Sequence, residues 1–219
     1  MVDRAAHFIA TRIGNTLDMD KGKIDVLEYG AFGILQTVLS LIAFVIFGLV
    51  FNVLPEILVI SFAASVLRKY TGGVHASSPL RCIVMGVMIF GIFSLIAKYV
   101  AGNMTILPMC FVVLVCFLAA FAAVKIYAPV DSVKKPIKDP SKRARLRKQA
   151  FVLLFILLLV TLGLLAVTYF DNDLNLGNFI FSICIAIIWQ VFTLLPKGQA
   201  VFLYLDKVLN EMRERGVKT

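Results

Sequence analysis

The amino-acid sequence predicts an all-α integral membrane protein, with six transmembrane helices and an amphipathic N-terminal cytoplasmic segment. Three observations carry that expectation. The 219-residue chain is 60% hydrophobic and only 16% charged, with a mean hydropathy of +0.93, which is too apolar for a soluble domain of this size. Several windows approach the roughly 20 apolar residues that carry a helix across ~30 Å of hydrocarbon, and no alternating strand pattern competes with them. The cations, finally, cluster between alternate windows, as the cytoplasmic loops of a polytopic protein do. Backbone exposed to lipid must satisfy its own hydrogen bonds, so a single polytopic domain over 1–219 is expected: an N-terminal segment 1–29, a membrane core 30–196 and a cytoplasmic tail 197–219.

In chain order, Met1 to Tyr29 lacks the apolar core of a secretory signal and mixes Asp18, Asp20, Lys21 and Lys23 through its length, so it is expected to persist in the mature protein. Ala6, Ile9, Ile13 and Leu17 recur at helical spacing, which suits a helix lying on the membrane surface or a packed cytoplasmic cap. Ile24, Leu27, Ala31 and Leu35 continue one stripe into a first span, 30–51, with Glu28 at its boundary. Pro55 suits the first turn of a new helix after a tight turn at 52–56. The second span, 53–67, is short, covering ~22 Å at 1.5 Å per residue, and the third, 82–100, is also modest. Spans at 104–124, 150–170 and 177–195 complete the six.

An even number of crossings puts both termini on one side. Four Lys or Arg precede the first span, three lie in the 68–81 loop, nine fall between Lys125 and Lys148, and five follow Pro196, against Lys98 alone on the other side. The positive-inside rule therefore makes the termini and both polar loops cytoplasmic. The net charge of +9 is thereby a statement about topology, and no nucleic acid is expected as a partner. The basic loop 125–149, with Lys142, Arg143, Arg145 and Arg147, serves as a topology anchor attracted to anionic lipid, or additionally as a docking surface for an acidic peptide. Cys110, Cys116 and Cys184 lie in apolar runs, so no disulfide framework is implied.

Cys82 is the cysteine at a polar boundary. It ends the stretch Arg68 to Cys82, which also holds His75, one of only two histidines. Ser78 and Pro79 read as the N-cap and first position of the third span, which places Cys82 at a helix opening, where positive partial charge, Arg81, Arg68 and Lys69 favour a thiolate. His75 is the residue type that takes a thiol proton and returns it to a leaving amine. In a straight helix the two Cα atoms would be ~10.5 Å apart, so the chain must fold back, and Gly72, Gly73 and Pro79 permit that. The bland alternative is an interfacial histidine beside a boundary cysteine. Two ligands fall short of a zinc site, so no metal and no cofactor is expected. Glu28 and Asp131 are candidates to orient His75, and Ser77 and Ser78 or the helix-opening amides to meet an oxyanion.

The run Arg68, Gly72-Gly73-Val74-His75 and Cys82 resembles the accessory gene regulator B (AgrB) family of membrane cysteine proteases. The resemblance extends over nearly the whole chain, with Glu28-Tyr29-Gly30 entering the first span and Tyr127-Ala128-Pro129-Val130-Asp131 and Lys135-Pro136 in the basic loop. It implies a catalytic pair, His75 and Cys82, with Arg68 and Gly73 in support. It also implies a bacterial cytoplasmic-membrane endopeptidase that removes the C-terminal part of an AgrD-type pheromone precursor and supports its cyclisation for quorum sensing. The precursor and membrane lipids are the implied partners. The alternative is a membrane protein that exports or binds a peptide without proteolysis, or a structural subunit with no reaction of its own. Ala119, Ala120 and Ala123 offer a small-residue face for packing within the chain or against a second copy, which leaves a homodimer open.

Overall fold

The computed structural model describes residues 2–74, 76, 78–101, 104–131, 137, 139–171 and 176–216, the side chain of residue 171 and those from 213 onward excepted. The described residues form helices α1 (Val2–Thr16), α2 (Lys21–Val50), α3 (Leu54–Thr71), α4 (Pro79–Ala101), α5 (Ile106–Tyr127), α6 (Pro140–Asp171), α7 (Gly177–Leu194) and α8 (Pro196–Gly216). Five of them, α2, α4, α5, α6 and α7, are long and apolar enough to cross a membrane. Residues such as Ile34, Ile46, Leu114, Leu118, Phe155 and Leu159 stand exposed along them, as lipid-facing surface requires. The protein is a multi-pass membrane protein.

α3 occupies the place of the expected second span and differs from the others. It carries Glu56, Arg68 and Lys69 within 18 residues, and eight of its residues are buried. It is an inner helix of the bundle, and a six-span count rests on whether this short element crosses. Glu56 sits in its first turn, where the helix end favours a carboxylate, and accepts from Asn178 Nδ2 at 3.3 Å. The α2–α3 turn is tight, with Asn52 at φ 54° and Val53 N–H donating to the Gly48 carbonyl at 2.8 Å. Lys98, the cation expected opposite the others, donates to the carbonyl of Asn52.

α7 is the hub, touching α3, α4, α5, α6 and α8. Its Ile180, Ile187 and Leu194 join Leu67, Met109, Phe117 and Leu154 in the main core. Trp189 meets Phe93 edge-on at 5.7 Å. The four cysteines are free, with Cys116 Sγ donating to the Cys184 carbonyl at 3.3 Å. α1 packs on α2 through Ala6, Ala10 and Gly14, while Ile9, Ile13 and Leu17 of the expected stripe stand exposed, so both the surface-helix and the cap alternatives stay open. Asp20 caps α2 and accepts from Lys23 N–H at 3.0 Å. The Lys23 side chain and that N–H hold its carboxyl below the ordinary value.

Two boundaries depart from expectation. The fifth span was expected from residue 150, whereas α6 begins at Pro140. Lys142, Arg143, Arg145 and Arg147 therefore stand on the first turns of a helix and not in a loop. Asp139 drives this: it accepts from Ser141 N–H at 2.8 Å, its carbonyl accepts from Arg143 N–H at 3.1 Å, and Lys, Arg, Ala and Leu are strong helix formers. Likewise, most of the segment 197–219, expected as a tail, is the helix α8. Lys135, Pro136 and the end of the tail lie outside the described residues.

Candidate active site

The site is assembled where α3 ends and α4 begins. α3 stops at Gly72, with φ 75° followed by Gly73 at φ 140°, a conformation that favours glycine. A Cβ on Gly72 would collide with the carbonyl of Val130. That closeness is the point of the turn: Gly72 and Val130 form a parallel bridge, Val130 N–H donates to the Thr71 carbonyl at 2.9 Å, and Gln190 Nε2 of α7 donates to Thr71 Oγ1 at 2.7 Å and to the Gly72 carbonyl at 2.9 Å. The 128–131 segment is held in turn by α6. Arg147 Nε donates to the Ala128 carbonyl at 2.7 Å, and Arg143 reaches the Pro129 carbonyl at 3.3 Å and Asp131 Oδ2 at 2.5 Å.

Sequence reasoning passed over Gln190 and Thr71, and read Arg143 and Arg147 as docking cations. Both arginines are turned onto their own chain, while Lys142 and Arg145 remain exposed. A polar residue within an apolar span was the available signal for Gln190. Gln190→Leu leaves the buried Thr71 hydroxyl and Gly72 carbonyl short of a donor, which costs about 1–3 kcal/mol. The expected outcome is a lower melting temperature of the detergent-solubilised protein, checked by scanning fluorimetry against the parent.

Pro79 opens α4, and Cys82 N–H donates to the Ser78 carbonyl at 3.0 Å. This is the first intrahelical bond, and it confirms Ser78 in the N-cap position. Cys82 stands in the opening turn, half-buried. Arg68, at the end of α3, lies within electrostatic range of its thiol. Arg68 Nε and Nη2 are shielded from solvent and have no hydrogen-bond acceptor among the described residues. Gly73 lies against the same guanidinium: a Cβ there would stand 3.7 Å from Arg68 Nε and 3.6 Å from Thr193 Oγ1. Arg68, Gly73 and Cys82 are thus brought together. His75 and Ser77 lie outside the described residues.

Of the candidate orienting acids, Glu28 accepts from Nδ1 of His7, the other histidine, at 2.7 Å, and Asp131 pairs with Arg143. Pro79 has no N–H and that of Cys82 is engaged, so the helix opening offers fewer backbone donors than expected. Near it, Arg68 Nε and Nη2 are buried side-chain donors with no acceptor among the described residues. Groups of three or more acidic, histidine or cysteine side chains able to hold a metal are absent among the described residues.

A helical bundle that crosses the membrane and gathers a thiol, a buried guanidinium and a paired-glycine turn at one end is a polytopic membrane protein with a built polar corner. The chain belongs to the accessory gene regulator B family, whose profile matches residues 6–194. It is 31% identical to AgrB-like protein 2 of Clostridium perfringens strain 13, over 97% of this chain and all of that one. It is 30% identical to an AgrB-like protein of C. perfringens strain SM101, with coverage of 97% and 100%. A C. acetobutylicum AgrB-like protein is 24% identical over 74% of this chain and 75% of its own. No solved structure matches.

Proposed function

We propose that this protein is a membrane cysteine endopeptidase that cleaves an AgrD-type pheromone precursor and supports its cyclisation. The observation that carries the proposal is Cys82 within electrostatic range of Arg68, whose buried Nε and Nη2 lack an acceptor among the described residues, beside the Gly72–Gly73 turn. A buried cation with open donors next to a thiol is costly unless an anion comes to it, and both the thiolate and the oxyanion of acyl transfer are such anions.

In the proposed reaction His75 takes the Cys82 proton and the thiolate attacks the scissile carbonyl, forming a C–S bond and an oxyanion that Arg68 meets. Collapse breaks the C–N bond. The C-terminal part departs as an amine carrying the proton from His75, and the remainder stays on Cys82 as a thioester. A thiol or hydroxyl on the bound precursor then displaces Cys82. With a thiol, one thioester replaces another, and holding that nucleophile close while limiting water favours the ring over hydrolysis.

In the same reading the termini and this corner face the cytoplasm, which the skew of cations supports. Lys142 and Arg145, exposed at the start of α6, are the cations available to an acidic precursor tail or to anionic lipid. The test is incubation of the purified protein in detergent with a synthetic precursor bearing an amphipathic leader, a central Cys and an acidic tail. Release of the C-terminal part is expected. Intact precursor after incubation with demonstrably folded protein overturns the proposal and favours a binding or export role.

A further inference from the structure

Arg81 directly precedes Cys82 in the first turn of α4, and it is gripped from the far end of the chain. Its Nε donates to Asp206 Oδ1 at 2.8 Å and its Nη1 donates to Asn210 Oδ1 at 2.6 Å. The two side chains of the ion pair are 13% and 9% exposed. Asp206 and Asn210 are four apart, on one face of α8, and Phe202 is buried one turn before them. The family match stops at residue 194, so this acid and amide come from a helix outside it.

α8 is aimed at the site by its own start. Pro196 opens it directly after α7, a Cβ on Gly198 would collide with the Phe192 carbonyl, and Gln199 Nε2 donates back to the Leu194 carbonyl at 2.9 Å. Apolar packing alone does not register it. An open cleft lined by Ile89, Phe93, Trp189, Phe192, Phe202 and Leu205 lies between this part of α8 and α4 and α7. Apolar contact is indifferent to register, whereas a shielded ion pair flanked by a second hydrogen bond fixes it.

We propose that α8 is a strap that positions the Cys82 turn, with Asp206 as its positioning residue, through the grip of Asp206 and Asn210 on Arg81. The strap also compensates the Arg81 charge, so that Arg81 is not free to compete with Arg68 near the thiol. This rests on the reading of Cys82 as the nucleophile, and the experiment separates the two. A Cys110→Ser background is used, because Cys110 is exposed while Cys116 and Cys184 are buried. In it, Asp206→Asn, Asp206→Glu and the exchange Arg81→Asp with Asp206→Arg are compared with the parent. The readouts are precursor cleavage, the pH profile of Cys82 alkylation by iodoacetamide, and the melting temperature.

Asp206→Asn is expected to lower kcat about tenfold with little change in KM and to displace the alkylation profile. Asp206→Glu, which keeps the charge, and the exchange, which reverses the pair, restore both. Parent-like kcat and profile in Asp206→Asn, or a loss that neither restoring variant repairs, overturns the strap. If the parent cleaves no precursor but the alkylation profile follows the charge at 206, the strap stands and the peptidase reading falls. If cleavage proceeds and is indifferent to residue 206, the strap alone falls.

Discussion

Cys82→Ala is expected to leave the purified protein unable to release the C-terminal part of the precursor, a fall of about 10⁴-fold or more. Membrane level and melting temperature stay at the parent value. The structural side of that expectation is direct: Cys82 is half-buried in the opening turn of α4, and its fold role lies in its backbone N–H, which alanine keeps. Losing the sulfur removes the proposed nucleophilic atom and little else. His75→Ala is expected to be defective in a different way. Solvent base takes over the imidazole's part as pH rises, so its residual cleavage climbs with pH while that of Cys82→Ala stays flat. Fragment release followed by mass spectrometry across a pH series checks both.

Arg68 carries the second large effect. Its Nε and Nη2 are shielded and lack an acceptor among the described residues, a state that costs free energy and that, in the proposed reaction, negative charge developing at Cys82 would relieve. Arg68→Ala removes donors aimed at a developing charge, and such losses are typically about 10²–10³-fold in kcat. Arg68→Lys keeps the charge but loses the planar array of donors, so it recovers only part of the rate. Because these two donors have no acceptor among the described residues, neither variant is expected to lower the melting temperature as Gln190→Leu does. Kinetics and scanning fluorimetry on the same preparations separate the two classes. A fall in melting temperature with unchanged kcat makes Arg68 structural.

The local features of this corner were legible because they are written in adjacent residues. Ser78-Pro79 announces the opening of α4, Asn52 and Pro55 announce the α2–α3 turn, and Gly72-Gly73 announces a break that the positive φ values fulfil. What joins these pieces is spread across the chain. Gln190 meets Thr71 across 119 positions and Arg81 meets Asp206 across 125, and one sequence carries no signal for either pairing. The cations at 142–148 were read as loop for their charge, although the same residue types propagate a helix once Asp139 caps it. α8 was read as tail because no window in it is long and apolar enough to span, and the spacing of Phe202, Asp206 and Asn210 along one face gained meaning only beside Arg81. Arg68 was recognisable as a cation near the thiol; that its Nε and Nη2 find no acceptor among the described residues is a property of packing alone.

The account stands on acylation of Cys82. The direct measurement is intact-protein mass spectrometry after acid quench, using a precursor whose central Cys is replaced by Ala so that the ring cannot close. The account predicts that the protein gains the mass of the precursor's N-terminal part, that hydroxylamine removes it, and that the adduct is absent from Cys82→Ala. Continued release of the C-terminal part with no such adduct, or an equal adduct on Cys82→Ala, contradicts it.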